Sequence, residues 1–206
     1  MTLSLQRLKS LPDVLYAFAF PRWKWPVVRQ CFFPCHIKFI EARDQLPGGA
    51  WLLMWGIAAV PASIGAPARV LRMEDGFLRS VGLGAELVRP LSWVVDSRGI
   101  YYDATTPSDL EVILASQPFD AKVCARAARL RERIVALRLT KYNVGGNRWQ
   151  RPAHAKHVVL VPGQVESDAS LAFGAPGERT NMGLLCAVRA ENPGAYIIYK
   201  PHPDVT

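Results

Sequence analysis

Short apolar runs that stop at glycine or acidic residues predict buried β-strands in the first half of the chain. The run "WLLMWG" covers residues 51–56, and "RVLRM" covers residues 69–73 with "EDG" directly after it. Both are rich in bulky apolar side chains and too short for buried helices, which favours strands. Further on, "LSWVVD" and "GIYYDA" flank "SRG". This pattern predicts two strands joined by a tight turn, with Gly99 at positive φ.

The first 47 residues show no sustained period and are predicted to form an irregular N-terminal portion. Leucines recur between Leu3 and Leu11, which indicates a short helix closed by Pro12. The segment "FAFPRWKWPVVRQCFF", residues 18–33, mixes aromatic rings with Arg and Lys. Such a segment suits a membrane interface. A surface loop whose rings fold back onto the core is the favoured interpretation.

Two helices are predicted between residues 107 and 139. The first begins in "PSDLEVILAS", where Ser108 and Glu111 have the spacing of a capping box. The second covers residues 119–139, because apolar side chains recur there in steps of three and four residues. Its apolar positions are Val123, Ala127, Leu130, Ile134 and Leu137. The arginines between them are interpreted as a solvated face.

The apolar pattern stops after residue 140 and then restarts as a second unit. Residues 141–156 contain Gly-Gly, Asn and Pro, which indicates a linker between two subdomains. After it, "HVVLVPGQ" predicts a buried strand and "ESDASLAFGAPGER" a long polar loop. "TNMGLLCAVRAENP" predicts a helix capped by Thr180 or Asn181, and "AYIIYK" a second buried strand. This order predicts a parallel βαβ unit.

The sequence ends soon after this βαβ unit, at Thr206. Two strands make a half-covered sheet with two open edges, which is too small for an independent domain. We therefore expect the chain to be the first part of a longer protein, or to be completed by a partner.

Composition narrows the classes of partner without selecting one. The net charge of +8 favours partners that carry phosphate, but the basic residues are spread along the chain. They form no groove-reading motif, so only the charge suggests nucleic acid, and none is expected as a partner. Cys31, Cys35 and His36 lie together without the further ligands that a zinc site needs. We expect no metal site and no bound cofactor.

Three polar clusters follow predicted strands at their C-terminal ends. They are the pair Glu74 and Asp75, the segment from Gln164 to Ser170, and the motif "KPHPD" that begins at Lys200. Ligands of open α/β sheets bind outside the C-terminal ends of the strands. The coincidence of the three clusters therefore predicts a binding or catalytic site.

Each cluster also has a local interpretation without catalysis. Asp168 and Ser170 suit helix capping and loop hydrogen bonds, although Glu166, Asp168 and Ser170 would share one face of an extended segment. "EDGFLRS" suits an acidic turn with a salt bridge to Arg79. In "KPHPD" the prolines stiffen the chain, so His202 is either a phosphate donor held in place or a surface residue of a turn.

Several long motifs together resemble one known family. They are "MEDGFLRSVGLGAEL", "LSWVVDSRGIYYDATTPSDLE", "LRLTKYN", "VLVPGQVESDAS" and "NPGAYIIYKPHPDV", in that order. From about Trp51 to its end, the chain resembles the capsule polysaccharide biosynthesis family of KpsC/LipA type. The first 50 residues carry little of the resemblance.

The resemblance implies an α/β fold of two Rossmann-like halves in a GT-B-like arrangement, the second of them incomplete. Residues 1–145 would form the acceptor-side half, and residues 146–206 the start of the half that binds the CMP-sugar. It also implies a retaining β-Kdo glycosyltransferase that moves Kdo from CMP-Kdo to a phosphatidylglycerol-linked Kdo acceptor, in building the poly-Kdo linker of a capsule. Such enzymes work at the cytoplasmic face of the Gram-negative inner membrane, in contact with other capsule assembly proteins.

The same resemblance assigns roles to the carboxylates. Retention of configuration needs two inversions, and therefore a carboxylate nucleophile. The acid of the "GQVESDAS" motif is Asp168, which is the expected nucleophile. Glu166, Glu74 and Asp75 are the rival catalytic carboxylates.

Contacts to the donor are assigned in the same way. The family's His-Pro motif maps to His202 and Pro203, which implies contact with the CMP phosphate, and Lys200 is the cation beside it. Arg79 is a plausible partner of the sugar carboxylate. Gln164 and Ser170 complete the predicted substrate contacts. The alternative is a non-catalytic scaffold of capsule assembly or export, or an inactive fragment.

Overall fold

The structure is a computed structural model that describes residues 11–145 and 149–205. Within these ranges it contains a five-stranded sheet and a two-stranded sheet. The elements are β1 (Val14–Phe18), α1 (Trp25–Phe32), β2 (His36–Phe39), β3 (Trp51–Trp55), β4 (Arg69–Asp75), β5 (Trp93–Asp96), α2 (Asp109–Ser116), α3 (Ala121–Ala136), β6 (Val158–Pro162), α4 (Ala169–Gly174), α5 (Asn181–Glu191) and β7 (Tyr196–Lys200). Single 3-10 turns lie at Arg22–Lys24 and Ala62–Ile64.

The larger sheet is parallel except for one edge strand. Its order is β2-β1-β3-β4-β5, and β5 runs antiparallel to β4. The neighbours β3 and β4 pair in register, with Leu53 opposite Leu71. Four parallel strands therefore end at the same edge, and Glu74 and Asp75 are the last two residues of β4 at that edge.

The core lies on both faces of β3. Leu53 points to the face that α1 covers, where it joins a cluster with Val28 and Phe32. Leu52 and Met54 point to the opposite face, against Ile64. All three β3 residues are fully buried, as a central parallel strand requires. This confirms the strands predicted from "WLLMWG" and "RVLRM".

The N-terminal portion is not irregular, and that prediction was wrong. It contributes β1, α1 and β2, and β1 lies inside the sheet between β2 and β3. The aromatic segment 18–33 forms α1 and its preceding turn and not a loop, although its rings fold back onto the core as predicted. Its Trp25 ring stacks on Phe39 with the ring centroids 4.3 Å apart. The helix predicted near Leu3 lies outside the described residues.

The predicted strand–turn–strand is half correct. β5 is present, but the second strand is replaced by a turn, and Gly99 does not have positive φ. The cause is the buried Asp96, whose carboxylate accepts the backbone N–H groups of Arg98, Gly99 and Asp109 and bends the chain. A Cβ on Gly99 would lie 2.8 Å from Thr106 Oγ1, so glycine is required there for space.

The two predicted helices are present. At the start of α2, Ser108 Oγ accepts the Glu111 N–H at 3.1 Å, and Glu111 Oε2 accepts the Ser108 N–H at 2.7 Å. This is the predicted capping box. α3 lies within the predicted range, and Asp120 caps it by accepting the Val123 N–H. No helix in the described ranges is long and apolar enough to cross a bilayer.

The second unit has the predicted parallel pair of strands. β6 and β7 are neighbours with Val161 opposite Tyr199, and α5 lies between them in sequence with Thr180 as its N-cap. The predicted polar loop contains the short helix α4, so that prediction was wrong in part. The strands are also less buried than predicted, since Leu160 is 58% exposed.

Candidate active site

The carboxylate of Asp75 is held by two buried cations. Lys24 Nζ lies 3.1 Å from Asp75 Oδ1, and Arg79 Nε lies 2.6 Å from Asp75 Oδ2. Arg79 is 1% exposed and also donates from Nη1 to Ser80 Oγ at 2.9 Å. Both carboxylate oxygens of Asp75 therefore have a cationic partner.

Lys24 reaches Asp75 through a group of tryptophan rings. Its Nζ lies 3.2 Å from the ring centroid of Trp55 and 5.4 Å from that of Trp93. Burial lowers the pKa of Lys24, and the charge of Asp75 and its hydrogen bond act in the opposite direction. The sequence did not predict this role for Lys24. The only signal was a lysine placed among tryptophans.

Glu74 is in a different environment from its neighbour. Its Oε1 accepts the Asp75 N–H at 2.8 Å, and its Oε2 lies 3.4 Å from the Tyr102 hydroxyl, which donates to it. Burial raises the pKa of Glu74; the charge of Asp75 adds to the rise, while the hydrogen bonds and Lys24 oppose it. A carboxyl that holds its proton more readily than usual is suited to general acid–base chemistry.

Two consecutive tyrosines line the space beside Glu74. The rings of Tyr101 and Tyr102 meet edge to face, with centroids 5.3 Å apart. Burial raises the pKa of Tyr101 to about 12, and the charges of Glu74, Asp75 and Asp168 add to the rise. The pKa of Tyr102 is raised for the same main reason. Both phenols are therefore protonated donors near neutral pH. Sequence reasoning placed them in a strand and missed them.

Asp168 approaches the same tyrosine pair from the second unit. It is the N-cap of α4, where its Oδ1 accepts the Ser170 N–H at 2.7 Å, so the capping interpretation is confirmed. α4 lies on the tyrosine turn, because the Ala104 N–H donates to the Phe173 carbonyl at 3.2 Å. The charge of Asp168 also contributes to the raised pKa of Tyr101 and of Tyr102.

Glu166 and Gln164 form hydrogen bonds with Asn181 at the start of α5. Glu166 Oε1 accepts the Asn181 N–H at 2.7 Å. The Asn181 side chain bonds both main-chain groups of Gln164, at 2.8 and 2.9 Å. The segment turns at Asp168, whose N–H donates to the Val165 carbonyl, so Glu166 and Asp168 do not share the face of an extended strand.

His202 has a defined orientation in the turn after β7. Its Nδ1 accepts the Asp204 N–H at 3.1 Å, whereas the Asp204 carboxylate lies 3.7 Å from Nδ1, beyond hydrogen-bond distance. An accepting Nδ1 places the proton of the neutral ring on Nε2. The ring meets Tyr142 edge to face, with centroids 6.3 Å apart.

Tyr142 belongs to a segment that joins the clusters. The loop after β4 bonds to residues 141–143, with the Arg79 N–H donating to the Lys141 carbonyl at 2.8 Å and the Gly82 N–H to the Tyr142 carbonyl at 2.9 Å. Asn143 Nδ2 donates to the Ser80 carbonyl at 2.8 Å. The loop that carries Arg79 therefore fixes the tyrosine that contacts His202.

The structure thus brings together residues from all three predicted clusters. Glu74 bonds to Tyr102, α4 with its cap Asp168 is bonded to the turn that carries Tyr101 and Tyr102, and His202 contacts Tyr142. Lys200 is exposed at the end of β7, and Pro203 follows His202 in the turn. Among the described residues there is no cluster of His, Cys, Asp or Glu that could hold a metal ion.

Carboxylates and a histidine that follow the C-terminal ends of parallel strands are typical of α/β proteins that bind nucleotides or nucleotide-linked substrates. The family model described as capsule polysaccharide biosynthesis protein matches residues 57–150 and 131–206. The chain belongs to the capsule polysaccharide biosynthesis family, as the motifs predicted.

Curated relatives extend this similarity to the N-terminal portion. The chain is 46% identical over 206 aligned residues to the capsule polysaccharide modification protein LipA of Neisseria meningitidis serogroup A, covering 95% of this chain and 29% of LipA. It is 42% identical to the lipopolysaccharide-processing protein LpsZ of Rhizobium meliloti, covering 93% of this chain and 48% of LpsZ. The chain therefore spans less than half the length of these two relatives.

Two solved structures share the fold. One is Thermosulfurimonas dismutans KpsC, beta Kdo 2,7 transferase, with a TM-score of 0.75 and 40% identity over 94% of this chain and 62% of that one. The other is the beta Kdo 2,4 transferase of the same KpsC, with a TM-score of 0.75 and 32% identity over 93% and 61%.

Proposed function

We propose that the protein is a retaining β-Kdo glycosyltransferase of capsule biosynthesis. It would transfer Kdo from CMP-Kdo to a phosphatidylglycerol-linked Kdo acceptor at the cytoplasmic face of the inner membrane. The observation that carries the proposal is that Glu74, at the end of β4, accepts a hydrogen bond from Tyr102, while α4, which Asp168 caps, is bonded to the same tyrosine turn. Similarity to two chains whose names include Kdo transferase supports the choice of sugar.

We assign the two sheets to the two halves of a GT-B-like arrangement. Residues 1–145 would form the acceptor-side half, and residues 146–206 would begin the half that holds CMP-Kdo. The two separate sheets support this division, as does the lack of regular structure in residues 141–145 and 149–156 between them.

His202 and Lys200 are assigned to the CMP phosphate. The accepting Nδ1 of His202 leaves its Nε2–H as a donor, and the ammonium of Lys200 supplies a charge nearby in the chain. Pro203 restricts the backbone directly after the histidine. These groups would stabilise the negative charge that develops as CMP leaves.

Asp168 is assigned as the nucleophile. One oxygen, Oδ1, takes the capping bond from Ser170, and the other would attack the anomeric carbon of Kdo while the bond to the CMP phosphate breaks. The acceptor hydroxyl would then attack the same carbon from the opposite face, and the carboxylate of Asp168 would leave. Two inversions give net retention.

Glu74 is assigned as the general base of the second step. It would take the proton of the acceptor hydroxyl as that oxygen bonds to the sugar. Its raised pKa brings the carboxyl closer to the operating pH, where a base transfers protons most effectively. Because Asp75 is bound by Lys24 and Arg79, we assign it to positioning and not to proton transfer.

The sugar carboxylate needs hydrogen-bond donors. Arg79 is already bonded to Asp75 and Ser80, and the Tyr102 hydroxyl donates to Glu74, so we assign Arg79 to holding Asp75 and assign the sugar carboxylate to the hydroxyl of Tyr101. Gln164 and Ser170 remain predicted contacts of the substrate, and Glu166 remains a rival carboxylate.

A non-catalytic scaffold is the second candidate function. One observation favours it, because the helix-capping bonds of Asp168 and Glu166 explain both acids without catalysis. Calorimetry with CMP distinguishes the two functions. A transferase binds CMP and loses binding in His202→Ala, whereas a scaffold shows no heat of binding.

The transfer assay uses the full-length protein, CMP-Kdo and a synthetic lipid acceptor that ends in Kdo. We expect Asp168→Asn to abolish product formation while its melting temperature stays close to that of the parent. Glu191→Gln also replaces a carboxylate by an amide, at an exposed position of α5. It is the matched control and should retain activity. Transfer by Asp168→Asn at the parental rate would overturn the assignment of Asp168.

A further inference from the structure

The apolar side of α3 lies in solvent. The sequence pattern predicted an amphipathic helix, and such a helix normally packs its apolar side against the core. Val123 is 47% exposed, Leu130 is 52% exposed and Leu137 is 61% exposed. We call the line of Val123, Ala127, Leu130, Ile134 and Leu137 the α3 stripe. Within residues 11–145 and 149–205 the α3 stripe is left largely uncovered.

Long cationic side chains border the α3 stripe on both sides. At about 100° per residue, one border is formed by Lys122, Arg126, Arg129 and Arg133. The other border is formed by Arg131. Glu132 is the one acid within Ala121–Ala136, and it lies on the side away from the α3 stripe. The surface thus combines an apolar centre with basic edges.

The apolar centre and the basic edges favour one kind of binding partner for this surface over another. A second copy of the helix would bring the same arginines against each other, which is unfavourable. An anionic bilayer suits both parts, because apolar side chains enter the boundary of the acyl region while Lys and Arg reach the lipid headgroups. The aromatic segment 18–33, which also suited a membrane by its sequence, is instead folded onto the larger sheet.

We propose that α3 is an interfacial helix that docks the protein on a bilayer containing anionic lipid. The α3 stripe faces the acyl region, and the five bordering cations contact the headgroups. This surface is separate from the candidate active site, and its test measures binding without turnover. The result of the test therefore does not depend on whether the protein is a transferase.

Co-sedimentation with lipid vesicles tests the proposal on the full-length protein. One vesicle is pure phosphatidylcholine, and the other contains phosphatidylglycerol as well. We expect binding to the second vesicle and little binding to the first, with the bound fraction falling as salt is raised. Leu130→Glu should weaken binding about tenfold, because it places a carboxylate in the centre of the buried side.

Ala125→Glu is the matched control on the same helix. Ala125 is exposed and lies on the side away from the α3 stripe, so introducing a carboxylate there should leave vesicle binding close to the parental level. Melting temperatures show that both variants fold. Absence of parental binding, equal binding to both vesicles, or equal losses in both variants would overturn the proposal. So would sedimentation velocity that shows a dimer dissociated by Leu130→Glu without vesicle binding.

Discussion

The buried ammonium of Lys24 lies 3.1 Å from the carboxylate of Asp75, although 51 residues separate them in the sequence. The contact joins the turn before α1 to the C-terminal end of β4. Because Arg79 binds the other oxygen of Asp75, the end of β4 is fixed by two cations from different parts of the chain. Glu74 precedes Asp75 in β4, so the same two contacts help to hold Glu74 in place.

Removing the ammonium should destabilise the fold. We expect Lys24→Met to lower the free energy of unfolding by on the order of 3 kcal/mol, since it leaves a partly buried carboxylate with one of its two partners. Lys38→Met, at an exposed position of β2, should change it by less than about 0.5 kcal/mol. Urea unfolding followed by tryptophan fluorescence measures both. Equal small losses would contradict the stabilising role of Lys24.

The raised pKa of Glu74 predicts a pH-dependent effect of Glu74→Gln. A carboxyl with a raised folded pKa contributes stability while it is protonated, below its ordinary value of 4.5, and loses that contribution as the pH rises through its folded pKa. The glutamine variant does not ionise. Its melting temperature should therefore exceed that of the parent at neutral pH, and the difference should shrink as the pH falls below the ordinary value.

Glu191→Gln is the control for this comparison, because Glu191 is exposed at the end of α5. The melting temperature of Glu191→Gln should not exceed that of the parent at neutral pH. A glutamine variant at residue 74 that is less stable than the parent at neutral pH would mean that the carboxylate is favoured in the fold. That result would remove the physical basis for treating Glu74 as the base.

The turn that carries the tyrosine pair depends on Asp96. Asp96→Ala leaves the N–H groups of Arg98, Gly99 and Asp109 without their acceptor. We expect a loss of unfolding free energy on the order of 3 kcal/mol. Asp103→Ala, which removes two exposed local hydrogen bonds from Thr105, should cost about 1 kcal/mol or less. Equal losses in chemical denaturation would contradict the organising role of Asp96.

The parts of the fold that follow from local pattern were predictable. Leu52, Leu53 and Met54 form an apolar run that only a buried strand suits, and the spacing of Ser108 and Glu111 fixes the start of α2. β1 was missed because it belongs to the sheet through its pairing with β2 and β3, which lie further along the chain. The five residues "VLYAF" contain no local pattern that indicates which strands they pair with.

Part of the candidate site was also predictable from the sequence. The rule that ligands bind at the C-terminal ends of strands identified Glu74, Asp168 and His202 without any contact being known. It could not identify Tyr102 or Lys24, because their roles depend on the Asp96 turn and on a contact across 51 residues. Residues at strand ends can be read from topology, whereas residues brought to them by loops require the structure.

Trapping the covalent intermediate tests the proposed transferase most directly. The full-length protein is incubated with CMP-Kdo without acceptor, digested and analysed by mass spectrometry, with Asp168→Asn and Glu191→Gln treated in parallel. The account predicts one Kdo residue attached to the peptide that contains Asp168 in the parent and in Glu191→Gln, and none in Asp168→Asn. Kdo attached to a different residue, or transfer to acceptor by Asp168→Asn at the parental rate, would contradict it.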